Sequence, residues 1–447
     1  MSPITNTKDV VPGPGFTVGA ALDGAGWHPS AWREPSSRAT ELFSAGYWSD
    51  LAATAEDAGL HYLTIEDSLH LRSADQAPPG DEPAAGDAPA VREAIVEGRL
   101  DALLVASWIA PRTRRIGLIP TATTTHTEPF HVATALQTLD FVSLGRAGWQ
   151  LRFSGSPVDA AAFGRKPAPR VDREAVLAGR PDPGIDELVD EAADVAEVAR
   201  RLWDSWEDDA IIRDVASGRF LDRDRIHHID FEGERFSVVG PSIVPRSPQG
   251  QLPITLLAHA EPIYALAARA ADVVFVTPDS GSGGAGAPGG RSAGAPGDRS
   301  AAQIVAAVRD AERAADRPGH GLAPLRIVAD LVIGLDAPGE RATDRLSRLD
   351  ELAGSAYESD ARVFVGDAGT AADLIDEWRA AGVEGVRLRP LSLPADLEAI
   401  GRDLLPVLRE RGLLSRGPGA GDDGDLRSRF GLGRATNRYA HAAEVAA

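Results

Sequence analysis

Cysteine is absent from the chain, so the residues that could do chemistry are carboxylates, imidazoles, hydroxyls and guanidiniums. The absence excludes disulfides, thiolate nucleophiles and Cys-ligated zinc or iron–sulfur centres together. Asp67, in the run TIEDSLHL, stands where a short β-rich apolar run ends, and the TATTT run, Thr121 to Thr125, follows another. His28 and His126 fall in comparable loops. Such groups at strand ends can line a polar floor for a heterocycle or move a proton. They also have plainer uses, since hydroxyls and carboxylates cap helices and a lone histidine is often a satisfied structural one.

Other patterns carry less. His227 and His228 are adjacent, so in a strand they point to opposite faces and cannot easily share an ion with Asp230; no metal is assigned. The acidic run Glu207, Asp208 and Asp209 reads as solvated capping. A G-x-S-x-G pattern at Gly290 to Gly294 lies in low-complexity sequence with no strand before it, which a nucleophile elbow requires. There is no Walker A motif, and Gly13, Gly15 and Gly19 precede a strand with the wrong spacing for a dinucleotide fingerprint.

The elements that must position these groups alternate between β-rich runs and amphipathic stretches. Strands are expected at Phe16 to Leu22, His61 to Glu66, Arg115 to Pro120 (entering the TATTT turn) and Arg146 to Leu151. They continue at ITLLA, ADVVFVT, LRIVADLVIGL and VEGVRLRP. Helices are expected at Gly46 to Ala58, with Gly59 as its C′ residue, and at Leu100 to Ala110, Pro129 to Asp140 and Ile185 to Trp206. Later ones fall at Pro262 to Ala270, Ala301 to Ala315 and Ala395 to Arg409. About eight such pairs suit a (β/α)8 barrel, and an open doubly wound sheet shares the local signals. The expected organisation is one barrel domain over 1–447, with a flexible insert at 73–89 and a hairpin insertion at 225–239 beside the barrel mouth. A low-complexity insert at 279–300 and a C-terminal extension from 415 are read as lying outside the core.

The 447 residues carry 46 basic and 66 acidic side chains, a formal net charge of −20. An acidic surface repels phosphate backbones and anionic lipid heads, so neither nucleic acid nor membrane is an expected partner. The start lacks a signal-peptide pattern, and the longest apolar run, Ala102 to Ala110, is too short for a bilayer. A cytoplasmic location is expected.

Taken together, several segments resemble the luciferase-like flavin monooxygenases, most closely the subgroup that oxidises nitrilotriacetate, EDTA, dibenzothiophene sulfone and pristinamycin precursors. The matching runs are GWHPSAWREP, Asp67, RIGLIPTATTTHTEPFHVA, LDFVSLGRAGWQ, LWDSWEDDAIIRDVASGRF, GPSIVPRSPQG, LLPVLRERGLL and DLRSRFGLG, in family order over nearly the whole chain. The resemblance implies a TIM-like barrel with insertions that takes reduced FMN from a separate flavin reductase and oxygenates a small-molecule substrate with O2 through a C4a-peroxyflavin. It implies flavin contacts from Asp67, Thr123, Gln150 and Ser154, with His28, Trp32 and His126 on the substrate side. The chain also departs from the family pattern. Gln150 and Phe153 replace an Asn and a Thr, Gly184 and Leu188 replace a His and a Tyr at the flavin phosphate, and LAHAEP replaces a Gly-Ser pair. His259 is the residue expected to compensate. The departures keep two alternatives open: a barrel subunit without efficient catalysis that pairs with an active paralogue, and a deazaflavin-dependent oxidoreductase. A homo-oligomer or a paralogous partner is expected, and no metal.

Overall fold

A computed structural model describes residues 15–71, 95–279, 299–414 and 424–440. The readings made on 73–89, on the GRSAG run with most of 279–300, and on the first part of the tail lie outside these residues.

Eight parallel strands follow one another around a barrel: β1 (Thr17–Leu22), β2 (Tyr62–Ile65), β3 (Gly117–Thr123), β4 (Trp149–Arg152), β5 (Ile254–Leu257), β6 (Val273–Val276), β7 (Arg326–Leu335) and β8 (Gly385–Pro390). Each pairs with the next, and Thr17 stands in register with Gly385, which closes the ring and excludes the open sheet. Among the helices outside it are α1 (Ala45–Ala58), α2 (Ala102–Ile109), α3 (Pro129–Ser143), α4 (Pro183–Asp204), α5 (Glu261–Ala270), α6 (Ala301–Ala314) and α7 (Ala368–Ala380). Local signals explain their ends. Ser44 accepts from the Tyr47 amide and Gly59 closes α1 at φ 88°, a value glycine adopts without penalty. Asp182 accepts from the Ile185 amide ahead of α4, whose Ile185, Leu188, Val189, Ala192, Val195 and Ala199 are buried at helical spacing.

Two expectations need correction here. The TATTT run is not a turn throughout: β3 continues to Thr123 because Thr121, Ala122 and Thr123 pair with Gln150, Leu151 and Arg152. Between β7 and β8 lies a unit that the sequence reading missed, helix Ala342–Ala353 and strand Arg362–Gly366. The first half of β7 pairs with β6, and Leu331 to Leu335 pair instead with Arg362 to Gly366. This ninth strand takes over the edge that β6 leaves.

The lower interior of the barrel is apolar. Tyr62, Ile119, Val273, Phe275 and Val328 pack there with Leu426, Phe430 and Leu432 from the tail. The tail expected to lie outside the core therefore forms the barrel floor, because its apolar residues fill the open lower end of the ring; Asn437 further pins it to the Asp204 and Trp206 carbonyls. Gly19 leaves room for this layer, since a Cβ there would stand 2.3 Å from the Tyr62 ring. The hairpin Phe231–Glu232 with Ser237–Val238 is also displaced from its expected place at the mouth. Phe231 lies under the Arg201 guanidinium and Gly233 lies near Asp194, so the hairpin covers the outer flank of α4.

Two substitutions test this packing. Gly19→Ala should lower stability by about 1–3 kcal/mol or more through overpacking against Tyr62. Phe430→Ala should lower it by about 3–5 kcal/mol by opening a cavity in the floor. Both are read as shifts of the denaturant midpoint, and an unchanged midpoint for Phe430→Ala would mean that the tail is dispensable to the barrel.

Candidate functional site

Above the apolar layer the barrel interior becomes ionic. Alternation along a strand puts Arg387 and Arg389 of β8 on one face, and Asp330 of β7 reaches both. Arg387 donates through Nε to Asp330 Oδ1 at 2.7 Å and through Nη2 to Oδ2 at 2.5 Å, a bidentate pair in which neither side chain is exposed. Its Nη1 donates to Gln150 Oε1 at 2.6 Å and to Glu66 Oε1 at 3.3 Å. Gln150 Nε2 in turn donates to both Glu66 oxygens at 3.0 Å. Arg389 bonds Asp330 as well, and donates to Asp360 Oδ1 at 2.6 Å. His259 Nε2 lies 3.3 Å from the other Asp360 oxygen, and its Nδ1 lies 2.9 Å from Thr277 Oγ1. Two aromatic faces complete the chain, Phe275 under Arg387 at 3.9 Å and Trp27 against Arg389 at 4.4 Å.

Electrostatics follows from this pairing. Burial opposes the charge on Arg387 and Arg389, yet Asp330 and its neighbours hold both guanidiniums above their ordinary pKa. Burial would raise Asp360, but Arg389 and His259 hold its carboxyl well below the usual range. The two guanidiniums and the Asp360 carboxyl are thus each held in the charged form by their partners.

It forms the floor of a cavity of about 290 Å³ at the carboxyl ends of the strands. The walls are Trp27, Glu66, Gln150 to Phe153, Leu256, Leu257, His259, Asp360, Arg387 and Arg389. Ligand sites of barrels lie at this end. The volume stands at the lower limit of small-molecule pockets, and the mouth above it is open.

Of the residues singled out from sequence, Gln150 and His259 line this cavity. Asp67 is beside it but faces away: its Oδ1 accepts from the Ser68 amide at 2.7 Å and its Oδ2 from the Ala102 amide at 2.9 Å, tying β2 to the start of α2. Burial raises its carboxyl pKa, and those two amides oppose the rise. Thr123 is buried, and its carbonyl accepts from Thr127 Oγ1. Ser154 donates to Asp159, which also pairs with His70 at 2.6 Å. His28 is buried with Nε2 at 3.3 Å from Asp350 and its ring 5.0 Å from Tyr357, and Trp32 packs on the core. His126 is buried against Phe163 at φ 69°; burial lowers its pKa, and neither ring nitrogen has a partner among the described residues. The sequence reading missed Trp27, Glu66, Arg152, Asp330, Asp360, Arg387 and Arg389. The Arg-Leu-Arg alternation in VRLRP, and the aspartate within the apolar LRIVADLVIGL, were signals of an ionic barrel interior. Among the described residues no group of three or more His, Asp or Glu side chains is placed to hold a metal.

The closed parallel barrel with a polar cavity at its carboxyl end defines the class, a (β/α)8 protein. The model of the family described as luciferase-like monooxygenase matches residues 26–386, so the chain belongs to the luciferase-like monooxygenase family and is an oxidoreductase. It is 29% identical to N-acetyl-S-(2-succino)cysteine monooxygenase of Bacillus subtilis (strain 168), over 95% of this chain and 98% of that protein. It is 33% identical to nitrilotriacetate monooxygenase component A of Aminobacter aminovorans, over 58% of this chain and 53% of that protein. Among solved structures, long-chain alkane monooxygenase superposes with a TM-score of 0.72 at 21% identity, covering 93% of this chain and 95% of that one. Riboflavin lyase with modified FMN superposes at 0.71 and 22% identity, covering 94% and 96%. No helix among the described residues is long and apolar enough to cross a membrane.

If the ionic floor is a unit, Arg387→Met should lower stability by about 3–5 kcal/mol, because Asp330 is left buried with one partner fewer. Removing both charges, as Arg387→Met with Asp330→Leu, should cost less than the sum of the two single changes, with Arg389 left to Asp360. Denaturation of the single and double variants measures it; a double variant as unstable as the sum of its singles would show that the pair is not coupled.

Proposed function

We propose that this chain is the oxygenase component of a two-component flavin-dependent monooxygenase, taking reduced FMN from a separate reductase and oxygenating a small organic substrate with O2. The observation that carries the reading is the mixed wall of the mouth cavity, in a chain matched by the family model from residue 26 to 386. One relative is named as component A of nitrilotriacetate monooxygenase, a name that fits an oxygenase working with a second component.

The donor set suits a flavin ring. Its N–H edge needs an acceptor, and Glu66, whose carboxylate keeps lone pairs beyond its bonds from Gln150 and Arg387, can supply one from the floor. Its apolar end needs a dry wall, which Phe153, Leu256 and Leu257 provide. Thr121 Oγ1, buried in register with Gln150 and without a partner among the described residues, is a further contact toward the ring. His259, facing Asp360, stands at the rim of the cavity. When bound, reduced FMN supplies the activation of O2 and the oxygen atom delivered to substrate. The chain's own share is to orient the ring, exclude water with the apolar wall, and hold fixed charges beneath it. Asp67 and Ser154 support the loops that carry these residues, and His126, His28 and Trp32 belong to the surrounding shell.

Anaerobic titration of the purified chain with reduced FMN tests the reading. Saturable binding is expected, followed on mixing with O2 by reoxidation slower than that of free flavin. Binding of a reduced deazaflavin in preference to FMN would favour the deazaflavin alternative. Binding of neither, with recovery on adding a paralogous chain, would favour the paired-subunit alternative.

A further inference from the structure

The cavity's hydrogen-bonding inventory is one-sided. Both Glu66 oxygens accept from Gln150, and one of them also from Arg387. Asp360 accepts from Arg389 on both oxygens and faces His259. Arg387 directs its Nε and Nη2 to Asp330 and its Nη1 to Gln150. Arg152 differs. Its Nη1 donates to the Asp67 carbonyl at 2.6 Å, and among the described residues no carboxylate lies within ion-pair distance of it. A guanidinium has five N–H donors in a planar fork, so the Nε and Nη2 edge of Arg152 has no partner among the described residues. The group is half-buried and held in place, because Asp67 is itself pinned by the Ser68 and Ala102 amides. A half-buried cation with a fixed, open fork is matched by an anion with two oxygens in a plane. Around it the wall is apolar, with Leu151, Phe153, Leu256 and Leu257. Glu66 and Asp360 across the cavity disfavour a dianion.

We propose that Arg152 is a specificity-determining residue that anchors the carboxylate of a small monocarboxylate substrate with an apolar body. The proposal rests on the reading that this mouth is the reaction site. The Asp67 backbone carbonyl serves as its positioning group.

The test uses benzoate and benzamide, which share a shape and differ in charge, as calorimetric probes of the full chain. The wild-type chain should prefer benzoate, and Arg152→Gln should reduce benzoate affinity roughly tenfold or more with benzamide little changed. Arg152→Lys should restore part of the preference, since it keeps the charge and loses the fork. Absence of a benzoate preference in the wild-type chain, or its survival in Arg152→Gln, would overturn the proposal. A second arm compares reduced FMN with reduced riboflavin anaerobically. If Arg152→Gln abolishes the advantage of FMN over riboflavin and leaves benzoate binding intact, Arg152 serves the cofactor phosphate and the carboxylate assignment falls. If neither flavin binds while benzoate binding still depends on Arg152, the anion site stands and the flavin reading fails alone. Far-ultraviolet dichroism of each variant separates these outcomes from misfolding.

Discussion

The burial of Asp330 between Arg387 and Arg389 is the constraint from which the upper half of the barrel follows. A carboxylate in the middle of a strand whose ten residues are all buried is tolerated only if it is paired and hydrogen-bonded, and both guanidiniums come from the neighbouring β8. Those two arginines then need further acceptors, which Gln150, Glu66 and Asp360 supply. One buried charge thereby ties β2, β4, β7, β8 and the loop ahead of the ninth strand into a single polar layer. The cavity floor is rigid for the same reason: a side chain that turned toward a ligand would leave a charge behind it unpaired.

This layer also divides the barrel by function. Below it, the apolar cluster around Tyr62 and Phe275 needs only shape, and the tail seals it with Phe430 and Leu426. Above it, the wall offers oriented donors and a dry side, the combination with which a protein can steer a reactive cofactor's chemistry without entering that chemistry. Arg387 belongs to both halves, lying over the Phe275 ring on one side and holding Gln150 on the other.

Much of the fold was legible in the sequence, because strand and helix periodicities are local and strong. All eight barrel strands were found, and errors at their ends have local causes: β3 runs on to Thr123 only because β4 is there to pair with it. The ninth strand was missed because RVFVG is only five residues, flanked though it is by Ser359, Asp360, Asp367 and Gly369, and only the edge of β7 gives it a place. For the site, position was easier to read than role. Asp67 stands at a strand end, as expected, but whether its carboxylate faced a ligand or two backbone amides depended on α2 starting at Ala102. Arg387 and Asp330 were invisible as a pair because they are 57 residues apart and meet only across closed strands. The luciferase-like resemblance supplied the family, and the departures at Gln150 and Phe153 marked the side of the mouth that the ionic layer occupies.

Closure of the ring by Thr17 against Gly385 has a consequence for how the chain reaches this state. During synthesis β1 waits for a partner 368 residues downstream, which at roughly 5–20 residues per second amounts to about 20–70 seconds. During that time one edge of β1 has no neighbour on this chain, and its TVGAAL sequence carries no charge to discourage another strand from adding to it. In a nascent barrel of this design β2 covers one edge of β1, and the other stays open until β8 is made. The vulnerable period of its life is therefore synthesis, long before any ligand arrives.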